Sequence, residues 1–319
     1  MYNIFIKYKP QIILVLKLSI VGFAIYFIYS KIAQNQHLSI SQFTFQLKWL
    51  VTNNVWTLLL LLFFTDVNWF LEIFKWKTLV SVEKKITFLE AYEQCLGSLT
   101  ASLITPNRIG EYGAKALYFS KKLRKKIMVL NLIGNLSQLT ATLFFGSIGM
   151  LFFLFKFSPI IPSINTAKLV VAVTIIGILV FIIKLNYISE IKYYWGKIKN
   201  YLNRISNHVI VITLLFSILR YVVFSHQFYF LLQLFGFKLP YFTTINLIFG
   251  MYFIASLVPS LSIFDWAIKG SVAIWIFSFV NAPNLIIITV TTFMWLLNFA
   301  IPALIGSVFV LNFKISEKR

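Results

Sequence analysis

Charge is scarce in this sequence of 319 residues, of which only 12% are Asp, Glu, Lys or Arg, and carboxylates are scarcest, at nine. A water-soluble globule carries roughly a quarter of its residues charged, so a soluble domain is excluded. A single cysteine, Cys95, leaves no disulfide framework within the chain, and three scattered histidines without Cys or carboxylate partners at ligand spacing give no zinc site. No metal and no cofactor is implied. The phosphate-loop pattern G-x-x-x-x-G-K-[ST] is missing, so ATP-driven transport by this chain alone is unsupported. Neither G-x-S-x-G nor H-E-x-x-H occurs, which removes the commonest hydrolase signatures.

Apolar surface is what the chain has in excess: 59% hydrophobic residues, 34 Phe and eight Trp, with a mean hydropathy of +0.84. One soluble core of this length could not bury so much, so lipid must be the solvent for most of it. The expected class is an all-α polytopic membrane protein, a single membrane domain over 1–319. The net charge of +20 suits loops facing anionic lipid better than it suits nucleic acid.

Six apolar runs are long enough, or nearly so, for a helix to cross ~30 Å of hydrocarbon: 11–30, 51–73, 127–155, 167–183, 209–235 and 284–313. The first follows Lys7 and Lys9 but lacks a small-x-small cleavage site, so it reads as a span and not a signal peptide. Two further stretches have an apolar arm, a Pro-containing break and a second arm. One runs over 89–104, breaks at 105–108 and resumes to 119; the other runs over 241–258, breaks at 259–262 and resumes to 280. These read as re-entrant helical hairpins, and broken backbone at membrane depth is tolerated only against protein or a wet cavity.

With the N-terminus inside, nineteen of the 29 Lys and Arg residues fall in cytoplasmic segments and five outside, which places both termini in the cytoplasm. A bacterial inner (plasma) membrane is the expected location. The aromatic, Lys-rich stretch 184–207 reads as an amphipathic helix on the inner leaflet. The same layout makes 1–156 and 157–319 two halves of an inverted repeat, each with span, span, hairpin, span. Pro106, Glu111 and Lys115 recur as Pro259, Asp265 and Lys269 at offsets of 153, 154 and 154. The 154 offset also carries Asp66 onto Arg220 and Glu72 onto His226. Inverted repeats with broken helices meeting at midplane are a recurring transporter architecture.

The first break reads Thr105, Pro106, Asn107, Arg108, Ile109, Gly110, Glu111, Tyr112, Gly113, Ala114, Lys115 and Ala116. This stretch resembles the signature of the flippase-like family named after the transmembrane region of lysylphosphatidylglycerol synthase. That signature has Pro, a small or polar pair, an apolar residue, Gly, Glu and then a basic residue before an apolar helix. The second break, Pro259 through Asp265, keeps the Pro and an acid but lacks the Gly pair usual in that family. The resemblance implies lipid translocation or a related lipid-handling step. Lysine transfer is not expected, because two-domain members carry a soluble aminoacyl-transferase domain after the membrane region and this sequence ends at Arg319.

The residues of the break point the same way. A helix starting near Ile109 offers unpaired N–H groups and a positive dipole end, a ready anion site. Arg108 would add a bidentate phosphate donor and Lys115 a second cation, with Glu111 able to pair with Lys115 at i, i+4. The expected substrate site is therefore Arg108, Gly110, Glu111 and Lys115 facing Asp265 and Lys269. The alternative is that Glu111 and Lys115 are a packed intramembrane pair. Asp66 and Arg220 are expected to meet as a buried ion pair, more a structural clamp than a ligand site, and Glu72 to snorkel from its span end. His226 is either an interhelical hydrogen-bond partner or a proton carrier. Asn131, Asn135 and Gln138 form one polar stripe, read as interhelical glue over a headgroup-lined path. Trp69, Trp76, Tyr193 and Trp195 read as interfacial anchors.

The leading expectation is a lipid flippase-like transporter and not an enzyme. It would move an anionic phospholipid or a polyprenyl-phosphate-linked headgroup, with membrane lipids as partners and no nucleic acid. A homo-oligomer or a partner in envelope synthesis is compatible with it. An integral-membrane enzyme acting on a lipid phosphate, with Glu111 as acid or base, and an accessory subunit of an envelope-synthesis complex are the alternatives.

Overall fold

The computed structural model describes residues 55–103, 105, 109–157, 200–258 and 265–313, together with Gly196 and six isolated positions between 15 and 26. Among the described residues the protein is all helical, with no strand. Helices α1 (Val55–Val80), α2 (Phe88–Ser102), α3 (Ile109–Leu117) and α4 (Arg124–Phe157) come first. Then follow α5 (Asn207–Leu234), α6 (Tyr241–Leu257), α7 (Asp265–Ser278), α8 (Asn284–Trp295), a π turn (Leu296–Ala300) and α9 (Ile301–Asn312).

Four helical segments are long and apolar enough to cross a membrane: α1, α4, α5 and the continuous 29-residue run from α8 through α9. They coincide with the expected spans 51–73, 127–155, 209–235 and 284–313. The expected spans 11–30 and 167–183, and most of the amphipathic stretch 184–207, lie outside the described residues. Large apolar side chains are exposed along the outer faces, among them Phe63 and Phe70 on α1, Leu136 and Phe144 on α4, and Val211 and Leu215 on α5. Contiguous apolar exposure on this scale is an interaction surface, and lipid is the solvent that suits it.

Each Pro-containing stretch divides into two helices that pack on one another, α2 on α3 and α6 on α7. At 1.5 Å per residue the 15 and 9 residues of α2 and α3 extend about 22 and 14 Å, short of the ~30 Å hydrocarbon thickness. A capping box starts α2: the Thr87 hydroxyl accepts from the Glu90 N–H at 3.2 Å, and the Thr87 N–H donates to the Glu90 carboxylate at 2.7 Å. The π turn has an equally local cause. Pro302 lacks an N–H, and in a regular helix its ring would press on the carbonyl of Asn298; instead the Ile301 N–H reaches back five residues to Leu296.

Helix α1 packs along α5, α4 along α6, and α9 along α2. Exchanging the two halves of the chain leaves these partnerships unchanged. Glycine permits the two crosswise contacts. A Cβ on Gly149 of α4 would lie 2.5 Å from the Asn246 carbonyl oxygen and the Gly250 nitrogen of α6, and one on Gly306 of α9 would fall on the Leu96 carbonyl oxygen of α2. Gly97 on α2 and Gly250 on α6 each stand nine residues before their hairpin's proline, Pro106 or Pro259.

In α4's first turn, Lys126 pairs with Glu83 at 2.8 Å and lies 5.7 Å from the Tyr201 ring. Burial, and then the neighbouring Glu83 carboxylate, hold the Tyr201 phenol well above the usual range. Ile205 is buried at the same end, which ties the segment before α5 to α1 and α4.

Candidate functional site

The first hairpin's charges are packed away. Lys115 Nζ contacts Glu111 at 2.7 Å, donates to Asn131 Oδ1 of α4 at 2.9 Å and sits 4.3 Å from the centre of the Trp76 ring, and Lys115 is only 1% exposed. Trp76 is itself buried and donates to Gln94 of α2 at 2.8 Å, so it is a core residue and not an interfacial anchor. The Gly110 N–H, expected to face a ligand, donates to the Thr105 hydroxyl at 2.9 Å, so that end of α3 is capped by its own break. Glu111 and Lys115 thus form the packed pair that was the alternative reading. Arg108 lies outside the described residues.

The second hairpin's pair has the same spacing and different surroundings. Lys269 Nζ meets Asp265 Oδ2 at 2.7 Å, with the two side chains 39% and 29% exposed. These residues line a cavity of about 450 Å³, within the ~300–1,000 Å³ common for small-ligand sites. Gly110, Glu111 and Lys115 do not line it, so the two hairpin pairs are not brought to one cavity as expected.

Arg220 does line the cavity, and its partner differs from the expected one. Its guanidinium meets Glu72 at 2.5 Å through Nη1 and Asn68 Oδ1 at 2.9 Å through Nε, whereas Asp66 lies on an exposed part of α1. Asp66 and Glu72 are six residues apart, about 120° around the helix, so α1 can turn only one of them toward α5. Glu72 does not snorkel: it is 8% exposed and also pairs with Lys75 at 2.6 Å. Lys75, which lies beyond the expected span 51–73, is 2% exposed because α1 continues to Val80.

From Arg220 a hydrogen-bonded chain runs through the interior. Asn68 donates to Asn298 Oδ1 at 2.8 Å, Asn298 donates to Gln227 Oε1 at 2.7 Å, and Gln227 donates to Thr65 Oγ1 at 2.9 Å and the Leu61 carbonyl at 3.0 Å. Asn298 sits in the π turn, whose extra residue per turn shifts the register of the helix face where it bonds both partners. Asn68, Lys75, Gln227 and Asn298 were not singled out in the sequence. A signal was there on α1, where Thr65, Asn68, Glu72 and Lys75 follow the 3-4-3 spacing of one helix face.

Asn68, Gln138, Arg220 and Asn298, with Asp265 and Lys269, supply the charged and amide lining of the cavity, and Trp69, Phe224, Phe228, Tyr252, Trp266 and Phe299 supply much of its aromatic lining. Among the described residues, the buried Trp69 Nε1–H and Gln138 Oε1 have no hydrogen-bond partner. Trp69 is thus a cavity residue and not an interfacial anchor; Tyr193 and Trp195 lie outside the described residues. The polar stripe of α4 does bridge helices. Asn131 accepts from Lys115, Asn135 donates to the Tyr112 hydroxyl at 2.9 Å, and Gln138 donates to the Ser217 carbonyl at 3.4 Å. His226 bridges the Val222 carbonyl and the Tyr241 hydroxyl, each at 2.8 Å, the interhelical role named for it.

The fold and this site define an all-helical integral membrane protein whose charged and amide side chains converge on an internal cavity. No family model, no curated protein and no solved structure matches the chain.

Proposed function

We propose that the protein is a flippase-like lipid transporter that passes the headgroup of an anionic phospholipid or a polyprenyl-phosphate-linked lipid through the cavity between its two halves. The carrying observation is the cavity itself, in which cations and amides share a space with aromatic side chains, as an amphiphile with an anionic head requires. Charged side chains inside a membrane are costly, and a substrate path is the usual reason for them.

The reading of the halves as inverted repeats, with α2–α3 and α6–α7 as re-entrant hairpins, is supported by helix partnerships that survive exchange of the halves. The arms α2 and α3, too short to span, and the matched Gly97–Pro106 and Gly250–Pro259 spacings add to it. The resemblance of the 105–116 stretch to the flippase-like family of the lysylphosphatidylglycerol synthase membrane region favours lipid as the cargo. The asymmetry of Lys and Arg supports a bacterial inner membrane with both termini cytoplasmic.

Liposomes containing the purified chain and a panel of headgroup-labelled lipids test the proposal. Bilayer crossing of an anionic lipid with its structure unchanged is expected. No crossing above protein-free vesicles would refute transport, and a chemically altered lipid would point to an enzyme.

A further inference from the structure

Two groups of paired charges lie where α1, α3 and α5 pack against their neighbours, and among the described residues their charges do not balance. Lys75, Lys115 and Arg220 supply three cations, and Glu72 and Glu111 two carboxylates. The Lys115–Glu111 pair is neutral by itself, so among the described residues the surplus of one positive charge lies with Glu72, Lys75 and Arg220. An uncompensated cation in a low-dielectric interior is unfavourable, and an anion that joins it lowers that cost. Of the three cations only Arg220 lines the cavity. Its bonds to Asn68 and Glu72 engage two of its five N–H donors, and among the described residues the other three have no partner. Those donors form a planar fork of the kind that matches phosphate and carboxylate oxygens.

We infer that Arg220 is the anion-binding residue of the cavity and that Glu72 is its internal stand-in, holding the guanidinium until an anionic oxygen of the cargo takes its place. The inference rests on the reading of the cavity as a lipid-headgroup site and names the residue that reads the charge. Glu72 can let go because Lys75 already grips the same carboxylate oxygen at 2.6 Å, so its charge stays paired throughout. The arriving anion cancels the surplus charge of the cluster. Asp265 and Lys269, which neutralise one another, leave no comparable vacancy for an anion. The ligand chemistry is an oxyanion, either on a lipid headgroup or as free phosphate.

Binding of fluorescent phosphatidylglycerol to the full-length chain in detergent, with inorganic phosphate as competitor, tests this. Arg220→Gln should weaken binding about ten- to a hundredfold, the loss of one charge-assisted hydrogen bond, and Arg220→Lys should restore it only in part. Glu72→Gln should shift affinity the opposite way, because it removes the internal competitor. If Glu72→Gln does not fold, Glu72→Asp keeps a carboxylate for Lys75, draws it back from Arg220 and should also tighten binding. Displacement by phosphate in the wild type would identify a free oxyanion as sufficient, and its absence would identify the lipid-borne one. Unchanged binding in Arg220→Gln, or weaker binding in both Glu72 variants, would overturn the inference. Run beside the liposome assay, Arg220-dependent binding without lipid crossing would sink the transporter and leave this site; crossing undiminished in Arg220→Gln would do the reverse.

Discussion

Gly149→Ala should pry α4 from α6, and the structure sets the size of the effect. The added Cβ would lie 2.5 Å from Asn246 O and Gly250 N; ordinary contact begins near 3.4 Å, so the shortfall is about 0.9 Å. Both obstacles are backbone atoms, and no side-chain rotation relieves them. Overpacking of this kind costs about 1–3 kcal/mol. Alanine also gains up to ~1 kcal/mol of helix propensity over glycine, a term removed by comparison with Gly113→Ala in α3, where the new Cβ meets nothing within 4 Å. The two variants should therefore differ by the overpacking cost alone. At about 2–4 °C per kcal/mol their melting points should separate by roughly 2–12 °C, with Gly149→Ala the lower. The chain carries its own reporter, since Cys95 is its single cysteine and is buried; a thiol-reactive fluorophore reads its exposure on heating in detergent. Gly149→Ala melting with or above Gly113→Ala would refute the close α4–α6 approach.

Three further outcomes follow from the charges and amides. Lys115→Met should lower stability by about 3 kcal/mol, because it strands a carboxylate only 13% exposed, whereas Lys269→Met, at a more exposed pair, should cost no more than about 1 kcal/mol in the same thiol assay. Asn298→Leu should cost about 1–3 kcal/mol by leaving the Asn68 amide N–H and the Gln227 amide oxygen without their partner, while Asp66→Ala should change stability by less than about 0.5 kcal/mol; equal effects would contradict the Arg220–Asn68–Asn298 chain. For the proposed topology, a cysteine replacing Lys122 in a Cys95→Ser background should react with a membrane-impermeant reagent only in inside-out vesicles, and reaction only in right-side-out vesicles would reverse the orientation.

Much of the helical layout was legible in the sequence, because it depends on local properties. The length of an apolar run against the bilayer thickness suffices to locate α1, α4, α5 and the final span. A proline in an apolar stretch suffices to divide α2 from α3 and α6 from α7. The pairs Glu111–Lys115 and Asp265–Lys269 follow from helical period alone, since residues four apart share a face.

What tertiary structure decided was which face of each helix meets which neighbour. The 154-residue offset pairs Asp66 with Arg220 in the sequence, and only the rotation of α1 against α5 selects Glu72 in its place. Glu111–Lys115 and Asp265–Lys269 look alike in spacing, yet packing over Trp76 and Asn131 buries the first pair and leaves the second lining a cavity. Asn298 is an ordinary amide in an apolar run until the π turn ahead of Pro302, four residues on, shifts the register of the helix face where it bonds Asn68 and Gln227. Spans and hairpin arms are properties of consecutive residues; the cavity and its charged cluster depend on contacts between residues up to 230 positions apart, which no local pattern records.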